Sequence, residues 1–272
     1  APILGIDLSS HNWRRGVPYR LLPRMQKAGI RFLIGRASVG IEADRSFGDN
    51  RTKAVKRGWV PGAYHYLTGK SPAAQAIVFT SRILGTGGAD DLLIALDVEG
   101  DTDSYDDVVR FMEVVRDRIP RHDIGIYSNR STWFRLGSHD AADLFDWEWQ
   151  ALYTVRGQQP PLSVPPKPPR GFGGLPTAIW QCGPFIFDGH RLDGNAAYVD
   201  LPELQAMANQ RERKPLTERP MYRSGYAAGL TASSLALRSV PVPTFPGRPA
   251  FELGARAAIA DAGQAVGELE LS

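Results

Sequence analysis

Apolar residues in this chain fall into short runs that alternate with longer stretches of helical period. The short runs are Ile3-Leu4-Gly5-Ile6-Asp7-Leu8, Phe32-Leu33-Ile34-Gly35-Arg36-Ala37-Ser38, and the segments 61–67, 92–98 and 124–129. Each is too short for a buried helix and is bounded by glycine, proline or charge, which predicts a strand buried on both faces, as in a parallel sheet. The intervening segments 19–28, 47–57, 73–84 and 105–119 read as helices. In the last of these Val108, Val109, Met112, Val115 and Ile119 keep helical spacing and Pro120 ends it, while Gly29 and Gly58 close the first two. A βαβαβαβαβ order with tight connections argues for an α/β barrel of parallel strands over a sandwich or a bundle.

Beyond residue 129 the alternation weakens. Segments 147–153 and 177–182 read as strands with no helix between them, because 157–176 is crowded with proline and glycine. So long a structureless connection is expected to be either the wall of a binding cleft or a passive connection. Residues 185–189 reach a turn, 190–198 form a further strand, and 201–209 a short closing helix.

The run from Leu92 to Gly100 carries the candidate chemistry. Side chains alternate along a strand, so Asp97 and Glu99 share a face with Cα atoms roughly 6.5 Å apart, and Val98 points the other way. At the carboxyl end of a barrel strand that face looks into the mouth, where such enzymes place catalytic groups. Crowding and burial would raise one of the two pKa values and leave a proton donor near neutral pH, as glycosidic bond cleavage requires. An acid-ended strand can also simply meet solvent, so the rest of the mouth matters. Asp7 ends the first run as Asp97 ends its own, and Asp193 brings a fourth acid to a strand end. Tyr64 and Tyr66 share a face, whereas His65 lies opposite them and reads as an internal, hydrogen-bonded histidine.

Composition narrows the function further. The chain has 272 residues, 32 basic against 29 acidic, for a net charge of +3, which calls for no nucleic acid. One cysteine, Cys182, excludes an internal disulfide and a cysteine-zinc site, and the five histidines lack metal-type spacing, so no metal or cofactor is expected. Cys182 reads as packing. No apolar run reaches the roughly 18 residues of a membrane span, and the N-terminus lacks the pattern of a secretory signal.

Six blocks in order carry a resemblance: Gly5-Ile6-Asp7-Leu8-Ser9; Asp44-x-x-Phe47-x-x-Asn50 leading into Gly62-Ala63-Tyr64-His65-Tyr66; Leu96-Asp97-Val98-Glu99-Gly100; Ile126-Tyr127-Ser128-Asn129; Ile179-Trp180-Gln181; and Leu192-Asp193-Gly194-Asn195. Residues 1–209 thereby resemble the family 25 glycoside hydrolases, the lysozymes of fungi, bacteria and phages. The resemblance implies a flattened TIM-like barrel of five βα units with a helix-poor final third. It implies hydrolysis of the β-1,4 bond between N-acetylmuramic acid and N-acetylglucosamine in peptidoglycan. It assigns Glu99 as general acid, Asp97 as the group that orients the substrate's N-acetyl arm, and Asp7 and Asp193 as acids that hold the sugar and tune the field. Tyr64, Tyr66, Tyr127 and Trp180, with Gln181, suit substrate binding. Arg36 stands where the family often has lysine, which touches substrate subtype and cleft shape.

Residues 210–272 form a separate C-terminal extension with a charged, proline-broken start and an alanine-rich amphipathic stretch over 251–266. The expected roles are a packed arm, or an anchor to a phage particle or cell wall. The leading expectation is thus a muramidase, released into the wall by a holin or carried on a virion, with peptidoglycan as partner. Two alternatives stand beside it: a non-catalytic wall-binding or virion structural protein on the same barrel, and a hydrolase of another N-acetylated glycan.

Overall fold

The computed structural model describes residues 1–14, 19–102, 104–137 and 139–209. In chain order they form β1 (Ile3–Leu8), α1 (Ser10–Arg14), a 3-10 turn at Tyr19–Leu21, α2 (Leu22–Lys27), β2 (Ile30–Val39), β3 (Glu42–Ala43), α3 (Phe47–Val55), β4 (Val60–Tyr66), α4 (Pro72–Leu84), β5 (Leu93–Asp97) and α5 (Tyr105–Arg118). Then follow β6 (Ile124–Ser128), α6 (Arg130–Arg135), β7 (Trp147–Ala151), β8 (Thr177–Phe187), β9 (His190–Ala197) and α7 (Leu201–Ala208). The strand order β1-β9-β8-β7-β6-β5-β4-β2 closes through a β1–β2 pairing into an eight-stranded barrel, with β3 added outside β2. All barrel pairings are parallel except those of β9, which runs antiparallel to β1 and β8.

Five strands are each followed by helix, and the alternation of apolar residues explains why. On β5, Leu93, Ala95 and Asp97 face the barrel interior while Ile94 and Leu96, with Val98 beyond the strand, face the outer helices. Both faces are therefore apolar and both are covered. Outside, Phe79, Phe111, Met112 and Val115 from α4 and α5 pack on Leu96 and Ile126. Each such fully buried side chain stabilises the fold by roughly 1.5–3 kcal/mol relative to exposure. Asn129, directly after β6, and Ser104, which follows the turn beyond β5, cap α6 and α5 by accepting from Thr132 N and Asp107 N. Strand and helix are thus joined tightly after β6, while a turn separates β5 from α5.

The interior is filled rather than open. Trp147 and Trp149 from β7 lie against Phe32, Ile34, Leu93, Ala95 and Tyr127. Room for Trp147 comes from Gly125, where a Cβ would stand 2.5 Å from the indole. At the amino ends of the strands Leu204, Met207 and Ala208 of α7 join the same cluster as Phe32, Val60 and Leu93. This helix is the floor of the barrel.

The last third departs from the sequence reading in two ways. Segments 177–182 and 185–187 are a single strand, β8, carried through a bulge at Gly183, whose φ of +144° and 2.1 Å clearance to Val155 O leave no space for a side chain. Asp188 and Gly189, at φ +50° and +80°, then make the tight hairpin turn into β9. The segment 157–176 replaces the missing helices. Leu162 and Val164 pack on the outer face of β8 and β9 against Cys182, Phe185 and Leu192, and Glu148, pointing outward from β7, accepts from Phe172 N, Gly173 N and Leu175 N at 2.9, 2.7 and 3.1 Å. The connection is a packed covering. The amphipathic stretch over 251–266, with the rest of the C-terminal extension, lies outside the described residues.

Candidate active site

The mouth gathers its side chains by strand parity. Asp7 on β1, Tyr64 and Tyr66 on β4, Asp97 on β5, Tyr127 on β6, Gln181 on β8 and Asp193 and Asn195 on β9 all occupy inward positions near the mouth. Register locks them together: Asp97 pairs with Tyr66 on one side and Tyr127 on the other, and Asp7 pairs with Asp193. Three of the acids foreseen from sequence, Asp7, Asp97 and Asp193, are thus brought to the mouth by strand register, and Glu99 joins them from the turn after β5.

Their surroundings differ. Asp97 is the last residue of β5 and only 6% exposed; its Oδ1 is buried with no protein partner. Burial pushes its carboxyl well above the usual range, and repulsion from Glu99 and Asp7 adds to this. Glu99 does not belong to the strand as expected, because the β5–β6 ladder ends with Val98 N donating to Tyr127 O at 2.9 Å. It sits half-buried on the following turn, where its backbone oxygen accepts from Thr102 N and Arg135. Burial raises the Glu99 carboxyl too, with Asp101 and Asp193 contributing repulsion against the influence of the neighbouring Tyr127. Glu99 is thus carried by the turn, and Asp97 by the end of the strand.

Asp7 is enclosed. Its Oδ2 accepts from Gln181 Nε2 and Asn195 Nδ2, both at 2.8 Å. Burial raises its carboxyl, Asp193 adds repulsion, and the two amides oppose both. Asn195 is fixed by Trp149 Nε1 at 2.8 Å, and Gln181 Oε1 accepts from the Tyr127 hydroxyl at 2.8 Å. Asp193 accepts from the Tyr153 hydroxyl at 2.8 Å, and Tyr66 donates to Asp101 at 3.1 Å.

Arg36, inward on β2, supplies a cation to this acidic mouth and acts on both Tyr64 and Asp97. Its Nε donates to Asp44 Oδ2 at 3.0 Å. Burial works against the Asp44 charge, but hydrogen bonds from Ser10 and Ser46 together with Arg36 hold that carboxyl below its usual range.

Trp180 is a correction. It is 3% exposed, donates through Nε1 to Leu152 O at 2.8 Å and stacks on Tyr198 on the outer face of β8. Its neighbour Gln181 takes the inward position, and adjacent strand residues cannot share a face. Trp180 is therefore core and not a sugar platform. His65, as expected, is internal: Ser38 Oγ lies 2.8 Å from Nδ1, Gln75 Oε1 lies 3.2 Å from Nε2, and Phe111 stacks on the ring. Cys182 is buried packing with its thiol toward Gly194 O.

Sequence reasoning left Tyr153, Asn195 and Trp149 without roles. Asn195 was findable, being two positions from Asp193 and so on its face. Tyr153 lies beyond its strand, where parity gives no direction.

Two buried carboxyls of raised pKa beside a half-buried third, in a mouth edged by tyrosines, suit acid-assisted cleavage of a sugar acetal. The model of the glycosyl hydrolases family 25 matches residues 6–181, which include Asp7, Tyr64, Asp97, Glu99, Tyr127 and Gln181. The chain belongs to glycosyl hydrolase family 25.

This family 25 chain is a glycosidase, and its barrel is similar to those of solved members. A bacterial lysozyme from Streptomyces coelicolor superposes with a TM-score of 0.59 at 24% identity, covering 77% of this chain and 98% of that one. A family GH25 lysozyme from Aspergillus fumigatus gives 0.60 at 23%, covering 77% and 100%. The catalytic domain of endolysin ply40 from a Listeria monocytogenes bacteriophage gives 0.55 at 22%, covering 77% and 98%. No curated protein matches the family 25 chain in sequence.

Proposed function

We propose that the family 25 barrel hydrolyses the β-1,4 bond between N-acetylmuramic acid and N-acetylglucosamine in peptidoglycan. Glu99 is the general acid: its proton passes to the glycosidic oxygen as the C1–O bond breaks. Asp97 holds the N–H of the substrate's acetamido group through Oδ1, so that the acetamido carbonyl oxygen bonds to C1 in place of an enzyme carboxylate. Water then adds at C1 as the bond from C1 to the acetamido oxygen breaks and the acetamido group is regenerated, the water's proton passing to the Glu99 carboxylate, which restores the acid. Such neighbouring-group mechanisms are recognised exceptions to the two-carboxylate scheme. Asp7 and Asp193 bind the sugar and tune the field, and Tyr64, Tyr66, Tyr127 and Gln181 line it.

The single observation that carries this reading is the unpartnered, buried Oδ1 of Asp97 below Glu99. A buried polar atom left without a partner costs roughly 1–3 kcal/mol, which substrate would recover on supplying a donor. The deciding experiment is mass spectrometry of sugars released from purified peptidoglycan by the wild-type chain and by Glu99→Gln. New reducing muramic acid ends, reduced about 10²-fold or more in the variant, are the expected outcome. Binding without release would make the barrel a wall-binding or structural module.

The enzyme's place of action under this reading is the bacterial cell wall, reached by holin-dependent release or on a phage particle, with 210–272 as the segment that contacts a wall or virion partner. Deleting 210–272 should then lower wall retention while leaving cleavage of soluble glycan strands intact; unchanged retention would sink the anchoring role.

A further inference from the structure

We propose that Asn195 and Gln181 are positioning residues that fix the Asp7 carboxyl through Oδ2 and reserve Oδ1 for the sugar, with Trp149 and Tyr127 holding both amides in the orientation this needs. This rests on the reading of Asp7 as an acid that binds the sugar. Asp7 pairs with Asp193 across β1 and β9, and Gln181 pairs with Asn195 across β8 and β9. The two amides therefore stand side by side next to Asp7, and both reach one oxygen: Gln181 Nε2 and Asn195 Nδ2 each donate to Oδ2 at 2.8 Å. A carboxylate oxygen has two lone pairs. Both on Oδ2 are taken, so a further donor can be received only at Oδ1. A carboxyl buried for structure alone is best satisfied by donors on both oxygens, yet no described residue donates to Asp7 Oδ1.

The chemistry of the far ends keeps the amides from turning over. An indole N–H can only donate, and Trp149 Nε1 donates to Asn195 Oδ1 at 2.8 Å. The Asn195 nitrogen must then face Asp7, and it also donates to the Asp193 backbone oxygen at 3.3 Å. On the other side Gln181 Oε1 accepts the Tyr127 O–H at 2.8 Å. Turned over, that oxygen would be set against Asp7 Oδ2, acceptor against acceptor. The Trp149 ring braces the same assembly, meeting Tyr127 and Tyr64 edge-on with centroids 4.7 and 6.0 Å away. Asn195, Gln181 and Trp149 are all buried, and a satisfied buried network of this kind rigidifies what it holds.

The charged and titratable groups around Asp7 are Asp193 on β9, Glu99 after β5, Asp97 on β5, Tyr64 on β4, Tyr127 on β6 and Tyr153 after β7, with Arg36 on β2 acting on Asp97 and Tyr64. Burial and the acids work against an ionised Asp7, and the two amides favour it. Removing an amide donor therefore raises the Asp7 titration. Loosening the barrel, the consequence of a merely structural role, would admit water and lower it.

The test is a ¹³C NMR titration of the Asp7 carboxyl carbon, assigned by its loss in Asp7→Ala, beside kcat/KM on soluble glycan strands. Both are measured in wild type, Asn195→Leu and Gln181→Met, which keep the bulk of the side chain and remove its N–H donors. In each variant Asp7 should titrate about half to one pH unit higher, and kcat/KM should fall about tenfold. An unchanged or lower Asp7 titration in either folded variant overturns the proposal, as does a raised titration with kcat/KM unchanged. If one variant does not fold, the other decides. Full cleavage by Asp7→Ala would overturn the proposal by ending the reading of Asp7 as a sugar-binding acid, a failure the titrations distinguish from a missing hydrogen bond.

Discussion

Tyr153 donates its hydroxyl proton to Asp193 Oδ1 at 2.8 Å, joining the segment after β7 to the middle of β9 across 40 positions of sequence. The residue is 57% exposed, which leaves the ring accessible to a ligand. A pyranose presents C–H faces to such a ring. Tyr153→Ala should raise KM about tenfold, the equivalent of about 1.4 kcal/mol, with kcat nearly unchanged. Tyr153→Phe, which keeps the ring and frees Asp193, should cost about two- to threefold. Steady-state kinetics on soluble glycan strands separates the two.

Asp97→Asn should lower kcat by about 10²-fold or more and at the same time stabilise the fold at neutral pH. The folded state holds this proton more tightly than the unfolded chain, whose carboxyl titrates at roughly 3.9. Above that pH the folded protein binds more protons than the unfolded one, so stability falls as pH rises. The substitution removes that loss. Tm should rise by about 2–4 °C per kcal/mol recovered, measured at pH 7, with a smaller gain near pH 4; an unchanged Tm at both would contradict the burial account.

His65 imposes the opposite slope. Burial holds its pKa down to about 3, so below the ordinary histidine value of roughly 6.5 the unfolded chain takes up a proton that the folded one refuses. Stability should therefore fall as pH drops from about 6.5 toward 3. In His65→Phe this acid-side slope should flatten, while stability at pH 7 drops by about 1–3 kcal/mol because Ser38 and Gln75 lose their partner. Urea unfolding at several pH values reads both effects.

Glu148→Ala should be among the costliest changes away from the mouth. It removes the acceptor of three backbone N–H groups in 172–175, a loss of about 1–3 kcal/mol for each donor left buried without a partner. Limited proteolysis should then cut within 157–176 before the rest of the barrel. Since this segment lies on the outer surface, the fraction that stays folded should keep its kcat.

The strands of the first half were legible because a strand covered on both faces is apolar at every position, and few other arrangements write that pattern. The four acids were legible for a related reason: charge at the end of such a run is conspicuous. Trp180 and Gln181 could not both have faced the sugar, since neighbours on a strand point apart, and parity alone required one of them to be core. Which one was decided by the barrel's curvature and by Tyr198, a contact 18 positions away. Gly183-Pro184 looked like the end of a strand because a bulge and a break share the same residues. The covering role of 157–176 was hidden more deeply, for it depends on Glu148 and on the outer face of β8, neither of which marks the loop's own sequence. The chain of amides behind Asp7 was hidden likewise, since its members come from four different strands.

Because α7 closes the floor, Asn209, the last described residue, lies at the end of the barrel remote from the acids. A surface, bead or carrier attached at that end of the barrel would hold it upright, with the mouth turned outward toward a polymer too large to diffuse underneath. Joined instead near Glu99 or Tyr153, the same protein would lie face down.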